Sequence, residues 1–309
     1  MAVLALTSAK GAPGVSTAAL AMTLLWPRAA LLAECDPAGG SSVLAGYLRG
    51  TVDHSRGLLP LALAQRHDSL EQGLWPQTVP LTGDPHAASV AVGAGDRWLL
   101  PGLSDAAQAP STAALWGPLG SLLASLERAG TDVIVDAGRL GTAHAPTAIL
   151  RQADLVLLVL STNLPAVAAA KARLNLLRED LSVTGTAGRL DGHLSNLGLL
   201  LVGEGRPYSA KEISTACGVP VVASLAWDPA SAEVLAAGAD LVLLDNMTLA
   251  DLRASVEVCR ARGVRTEASG GLSLDRALDV ARTGVDYLSV GALTHSAPVL
   301  DLGLDLRLH

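Results

Sequence analysis

The sequence predicts an α/β chain: a doubly wound, mostly parallel sheet followed by a partial (β/α) barrel segment of three strand-helix units. Apolar runs of strand length recur along the chain, and longer helix-like stretches separate several of them. After Asp240 the same alternation tightens into units typical of barrel sectors.

The first run, Val3 to Leu6, leads directly into "SAKGAPGVST", Ser8 to Thr17, where glycines precede a helix start. Further runs are Ala29 to Leu32, Val133 to Val135, Leu155 to Leu160, Leu197 to Val202 and Val221 to Leu225. Thr112 to Arg128 and Ala166 to Arg178 are helix-like. Strands that are apolar throughout belong in a parallel sheet covered on both faces. The segment from about Thr51 to Leu100 is Pro- and Gly-rich and reads as an irregular insertion at the sheet edge, with no strand assigned. The last units are "DLVLLDN" with "TLADLRASVEVCRARG", "VRTEASGG" with "LSLDRALDVARTG", and "VDYLSVGALTHS". Three units cannot close a barrel, which needs about eight strands.

Composition narrows the function. The 309 residues are 50% hydrophobic and 17% charged, enough for one large or two ordinary domains with real cores. Aromatics make up 3% with no Phe, so Leu, Val and Ala must fill the core. Lys occurs only at Lys10, Lys171 and Lys211, which leaves Arg to supply most positive charge. A net charge of -7 gives no strong nucleic-acid signal, because a phosphate footprint needs clustered Lys and Arg. Cys35, Cys217 and Cys259 form no CxxC pair, so neither a disulfide framework nor a zinc site is expected, and the expected compartment is a reducing cytoplasm. No secretory leader or membrane span is expected, since the first apolar run ends within a few positions and none reaches about 18 residues.

The opening loop carries the first chemistry. A phosphate loop works through backbone N-H groups and a helix N-terminus aimed at phosphate, a lysine that adds mobile charge, and a Ser or Thr that holds magnesium. Gly11 and Gly14 allow the curvature, Ser16 and Thr17 open the helix, and Lys10 brings the charge. This spacing resembles the deviant loop of the ParA/MinD family of dimerising ATPases, K-G-G-x-G-K-[ST]-T, with Lys10 at the signature lysine. Val15 replaces the second lysine and Ala12 a glycine, while Pro13, at the variable position, has no N-H to donate.

Other stretches extend that resemblance over about residues 1-235. "AALLAECDPAGGSS" is similar to the family's strand ending in D-x-D-P-x-G, with Glu34 in place of the first Asp and Asp36 at the second. "TDVIVDAGRL" resembles the Walker B strand, ending at Asp136. "LVLLVLSTNLPAV", "LGLLLVGEGRPYSAKEIS" and "GVPVVASLAWDPASAEVL" resemble the last strands in order. The resemblance implies a P-loop NTPase sheet, ATP with Mg2+ as cofactor, Ser16, Asp36 and Asp136 as metal contacts, and Asp36 and Asp136 as catalytic carboxylates. It leaves open a homodimer and a protein partner. Loss of the second lysine implies binding with slow hydrolysis or none, because that lysine neutralises charge developing between the β- and γ-phosphates.

From Ala236 the sequence resembles a different family, the C-terminal part of quinolinate phosphoribosyltransferase (nicotinate-nucleotide pyrophosphorylase) of NAD synthesis. The stretches are "AAGADLVLLDNMT", "EASGGLSLDRA" and "TGVDYLSVGALTHSAPVLDLGLDL". This resemblance implies that Asp245 holds magnesium and phosphoribosyl pyrophosphate, and that Ser269, Gly270, Gly271, Gly291 and Ala292 cradle phosphate. His295 falls near that site or caps the last short helix. The family's basic groups for the substrate carboxylates have no counterpart in residues 1-235, so residues 236-309 alone are not expected to catalyse transfer. Three functions follow: a nucleotide-binding protein with impaired hydrolysis, a phosphoribosyltransferase completed by another subunit, or a non-enzymatic chimera.

Overall fold

The computed structural model describes residues 3-10, 14-65, 69-82, 95-182, 189-190, 193-194, 196-205, 207-228, 241-245, 247-260, 265-270, 272 and 274-290. The described residues through Trp227 form one compact unit, and those from Asp228 onward a second.

In the first unit the apolar runs become strands β1 (Val3–Ser8), β2 (Ala29–Glu34), β5 (Thr131–Arg139), β6 (Leu155–Ser161), β9 (Leu197–Val202) and β10 (Val221–Leu225). They join two strands from the irregular segment, β3 (Val79–Pro80) and β4 (Arg97–Leu100). The eight strands lie in the order β10-β9-β6-β1-β5-β2-β4-β3, all parallel except β3. β1 therefore lies inside the sheet, between β5 and β6. The irregular segment does sit at the sheet edge, yet its Arg97–Leu100 stretch is a regular strand parallel to β2. Four residues are too few to show a period, which is why the strand escapes notice in the sequence.

Period-two alternation sorts each strand onto two cores. Val3, Ala5, Leu31, Ala33, Val133 and Val135 face one core, closed by α4 (Trp116–Ser125), α5 (Thr147–Gln152), α6 (Leu164–Ser182) and α7 (Ala210–Cys217) through Leu119, Ile149, Leu174 and Ile213. Leu4, Leu6, Ala30, Leu32 and Ile134 face the other, closed by α1 (Val15–Leu25) through Ala18, Ala19 and Leu20. Both faces are dry along these central strands, which carry no polar alternation, whereas β10 at the edge is exposed over residues 222–224. The expected helix from Thr112 to Arg128 is α-helical only over Trp116–Ser125, with 3-10 turns at Ala106–Thr112 and Leu126–Ala129. Gly130 ends the last turn in the left-handed conformation. Between the larger elements lie the short α2 (Leu58–Ala64), α3 (Leu70–Leu74) and the antiparallel pair β7 (Arg189–Leu190) and β8 (His193–Leu194).

The second unit is a parallel sheet of β11 (Leu241–Asp245), β12 (Arg265–Ser269) and β13 (Tyr287–Leu288), in that order, with helices α8 (Leu249–Arg260) and α9 (Leu274–Ala281) between the strands. Leu244, Leu252, Val256, Cys259, Ala268 and Val280 form its core. Leu243 remains 49% exposed on β11, an edge strand of this small sheet. The expected partial barrel segment matches this succession of strands and helices. Among the described residues no helix is long and apolar enough to cross a membrane.

Candidate functional site

The C-terminal ends of parallel strands collect the candidate chemistry, as the crevice rule for open α/β sheets requires. Alternation along β2 sends Ala33 and Cys35 into the core beneath α4 and α5, and leaves Glu34 and Asp36 for the α1 side. Along β5 it separates Val135 from Asp136 in the same way. Glu34 and Asp136 are register partners, and Cys35 N donates to the Asp136 carbonyl at 2.7 Å.

The result is a cavity of about 130 Å³ lined by Ser16, Glu34, Asp36, Ser41, Gly102 and Asp136. Ser16 reaches it from the first turn of α1, whose N-terminus is set by Gly14 in the left-handed conformation (φ 84°). Only glycine holds that geometry without strain. Asp136 is buried; its Oδ1 accepts from Gly138 N at 2.9 Å, and Ser16 also hydrogen-bonds its carboxylate. The Asp36 Oδ1 accepts from Ala38 N at 2.9 Å.

Burial pushes the Glu34 carboxyl up to about 7, against hydrogen bonds from Ser41, Gly102 and Val43 and with the neighbouring Asp136 charge adding to the rise. Gly102 N is 3.1 Å from Glu34 Oε2. Burial likewise raises Asp136, opposed by Ser16 and Gly138 and reinforced by Asp36. The site thus concentrates carboxylates in a place where water solvates them poorly, and among the described residues no basic side chain lines the cavity. Such a donor set suits a hard cation that keeps oxygen ligands of its own. Among the described residues no cluster of His, Cys, Asp and Glu forms a metal cage by itself.

Lys10 is exposed on the opposite flank of β1, where it lines a second cavity of about 240 Å³ with Ala9, Val159, Ser161 and Asn163. The structure therefore brings Ser16, Asp36 and Asp136 into one cavity and places Lys10 in another, on the β6 side. Thr17 is half-buried in α1 and lines neither. Val15 is packed against Leu4 and Leu6 in the α1-side core, so a buried apolar group stands where the resembling loop carries its second lysine. Gly11, Ala12 and Pro13 lie outside the described residues.

Three participants were not assigned roles from the sequence. Glu34 was legible through its two-residue spacing from Asp36, which puts both on one face of the strand. Gly102 becomes visible only once β4 is known to lie beside β2. Gly138 left no local signal.

In the second unit Asp245 ends β11 and Ser269 ends β12, and the two are register partners. Gly270 follows with φ 90°. The Asp245 side chain, Gly271, Gly291, Ala292 and His295 lie outside the described residues.

Comparison with known proteins finds two likenesses. Residues 224–305 match the family described as quinolinate phosphoribosyl transferase, C-terminal domain. The nicotinate-nucleotide pyrophosphorylase of Mycobacterium leprae is 52% identical over 75 residues, 24% of this chain and 26% of that protein. The chain spans between 26% and 39% of the length of the first curated relatives it matches. Among solved structures, a ParA family ATPase from Chlorobium tepidum superposes with a TM-score of 0.55 at 15% identity, covering 92% of this chain and 97% of the other. The septum site-determining protein MinD of Pyrococcus horikoshii, solved with Mg-ADP, gives a TM-score of 0.51 at 18% identity, covering 76% and 86%. The chain thus joins a sheet with the ParA/MinD fold to a segment similar to the C-terminal domain of quinolinate phosphoribosyl transferase.

Proposed function

We propose that the first unit binds a magnesium nucleoside triphosphate, ATP by family resemblance, and hydrolyses it slowly or not at all. The observation that carries this reading is the convergence of Ser16, Asp36 and Asp136 on one cavity at the N-terminus of α1. Magnesium fits that donor set, because burial raises the Glu34 and Asp136 carboxyls and no basic side chain is among the described lining residues. Ser16, Asp36 and Asp136 would hold it, the last two directly or through water. Bound there, the ion would neutralise phosphate charge. Backbone N-H groups at the start of α1 would hold phosphate, and Lys10 would add charge from the β6 flank. The buried Val15 offers nothing to the charge that grows between the β- and γ-phosphates, so binding outlasts turnover. Family resemblance extends the reading to a nucleotide-dependent homodimer or a protein partner in the cytoplasm.

Peptide-resolved hydrogen exchange with and without magnesium-ATP tests this reading. Slower exchange across residues 10-17, lost in Asp36→Ala and Lys10→Ala, is expected. Unchanged exchange there would leave a fold without the ligand.

A second reading concerns the second unit. The register pairing of Asp245 with Ser269 at the C-terminal ends of parallel strands, followed by Gly270 at positive φ, favours a phosphate-binding rim for phosphoribosyl pyrophosphate. Magnesium-dependent binding of that compound, abolished by Asp245→Ala, supports it. Formation of nicotinate mononucleotide would further require basic groups from another subunit, and a pure preparation is expected to form none.

A further inference from the structure

A third cavity, of about 150 Å³, lies between the loop after β5 and the α5 and α6 helices. Its apolar wall includes Leu140, Pro146, Leu150, Leu176 and Leu177, and Arg139 and Arg173 also line it. Both arginines are exposed, and neither guanidinium has a hydrogen bond or ion pair with a described residue. The Arg173 guanidinium lies against Gly141: a Cβ placed there would be 2.8 Å from Arg173 Nη1. The one lining carboxylate, Asp180, is already paired with Arg151, at 3.5 Å between Oδ1 and Nη2.

We propose that this cavity binds a small organic carboxylate whose apolar body is about the size of a benzene ring. The volume sets the body, since a leucine-lined cavity of about 150 Å³ holds benzene in a protein interior. The charge sets the head group: two arginines whose forks carry no bond to a described residue, beside an apolar wall, fit a carboxylate in bidentate geometry. A dianion gains little from the apolar wall, and a neutral ring leaves the arginines unused. The site lies apart from the carboxylate-lined cavity and does not depend on nucleotide binding.

Benzoate is the probe, with benzamide as its neutral isostere, titrated into the full chain by ligand-observed NMR and calorimetry. Saturable millimolar binding of benzoate, with benzamide weaker by about fivefold or more, is the expected result. Arg173→Gln and Arg139→Gln should each weaken benzoate by a similar factor while leaving benzamide unchanged, and both change exposed side chains. Leu176→Ala provides a second check, weakening both compounds through loss of the apolar wall. Equal binding of benzoate and benzamide, benzoate binding indifferent to both arginine variants, or no saturable binding would each overturn the proposal.

Discussion

The carboxylate of Asp36 rests against the bare backbone of Gly138, so that a Cβ at residue 138 would overlap it. Gly138 also has φ 62°, and its carbonyl accepts a hydrogen bond from Thr7 Oγ1 at 3.0 Å. Gly138, two residues after Asp136, therefore fixes where Asp36 can stand, even though the two belong to neighbouring strand ends.

Gly138→Ala should displace the Asp36 carboxylate and weaken magnesium-ATP binding about tenfold, as expected when one charged ligand loses about 1.4 kcal/mol of interaction. The same change strains a left-handed backbone by about 1 kcal/mol. Calorimetric titration of nucleotide, beside a thermal melt, separates the two effects. A variant that melts lower and binds as before would show that Gly138 serves the turn alone.

Glu34 makes the unliganded protein sensitive to pH. Its folded-state value, about 7, lies above the ordinary Glu value, so the folded state holds the proton more tightly than the unfolded chain. The resulting stability is full below about pH 4 and is lost as pH rises through about 7, an effect of up to about 3 kcal/mol. Urea unfolding between pH 5 and 8 should show this decline in the wild type, with a flatter profile in Glu34→Gln. A wild-type profile as flat as that of the variant would contradict the assignment.

At the other end of the sheet, Asp132 accepts from Trp26 Nε1 at 2.8 Å and pairs with Arg28 at 2.5 Å. Burial works to raise its carboxyl, but the hydrogen bonds and charge of Arg28, with Trp26, hold it below the usual range. This contribution is present above the unfolded value of about 3.9 and fades as pH falls through the lower folded one. Asp132→Ala should cost about 2 kcal/mol at neutral pH, because it strands the Trp26 donor. Chemical denaturation at pH 7 checks the size, and a series carried to lower pH should show the ionic part shrinking below about pH 3.9.

Val15→Lys puts the absent lysine back into the loop. Val15 is 6% exposed and packs against Leu4 and Leu6, so the variant should lose stability by about 1–3 kcal/mol. If the missing charge limits turnover, phosphate release should nevertheless rise by at least about tenfold over wild type. Single-turnover assays with Asp136→Ala as the background control measure this directly.

Much of the first unit was legible because its strands are apolar over their whole length. The runs beginning at Leu197 and Val221 coincide with β9 and β10, and Val3 to Leu6 lies within β1. Asp36 and Asp136 were legible through the resemblance of their stretches to the ParA/MinD motifs, Asp136 also being the first charge after the run Val133 to Val135. Arg97–Leu100 was not legible, being short and preceded by an irregular stretch, and with it went the Gly102 contact to Glu34.

The sequence by itself determined the order of strands and helices, the loop before α1, the substitution of Val15, and the change of pattern after Asp240. These are local properties, written in periodicity and spacing, except the Val15 substitution, which the family resemblance implies. Only the tertiary structure decided that Lys10 and the carboxylates flank β1 on opposite sides, that Gly138 supports Asp36, and that Arg139 and Arg173 share a leucine-walled cavity. Each of these depends on which strands become neighbours, and neighbours in a parallel sheet are joined by long crossovers that leave no trace in local sequence.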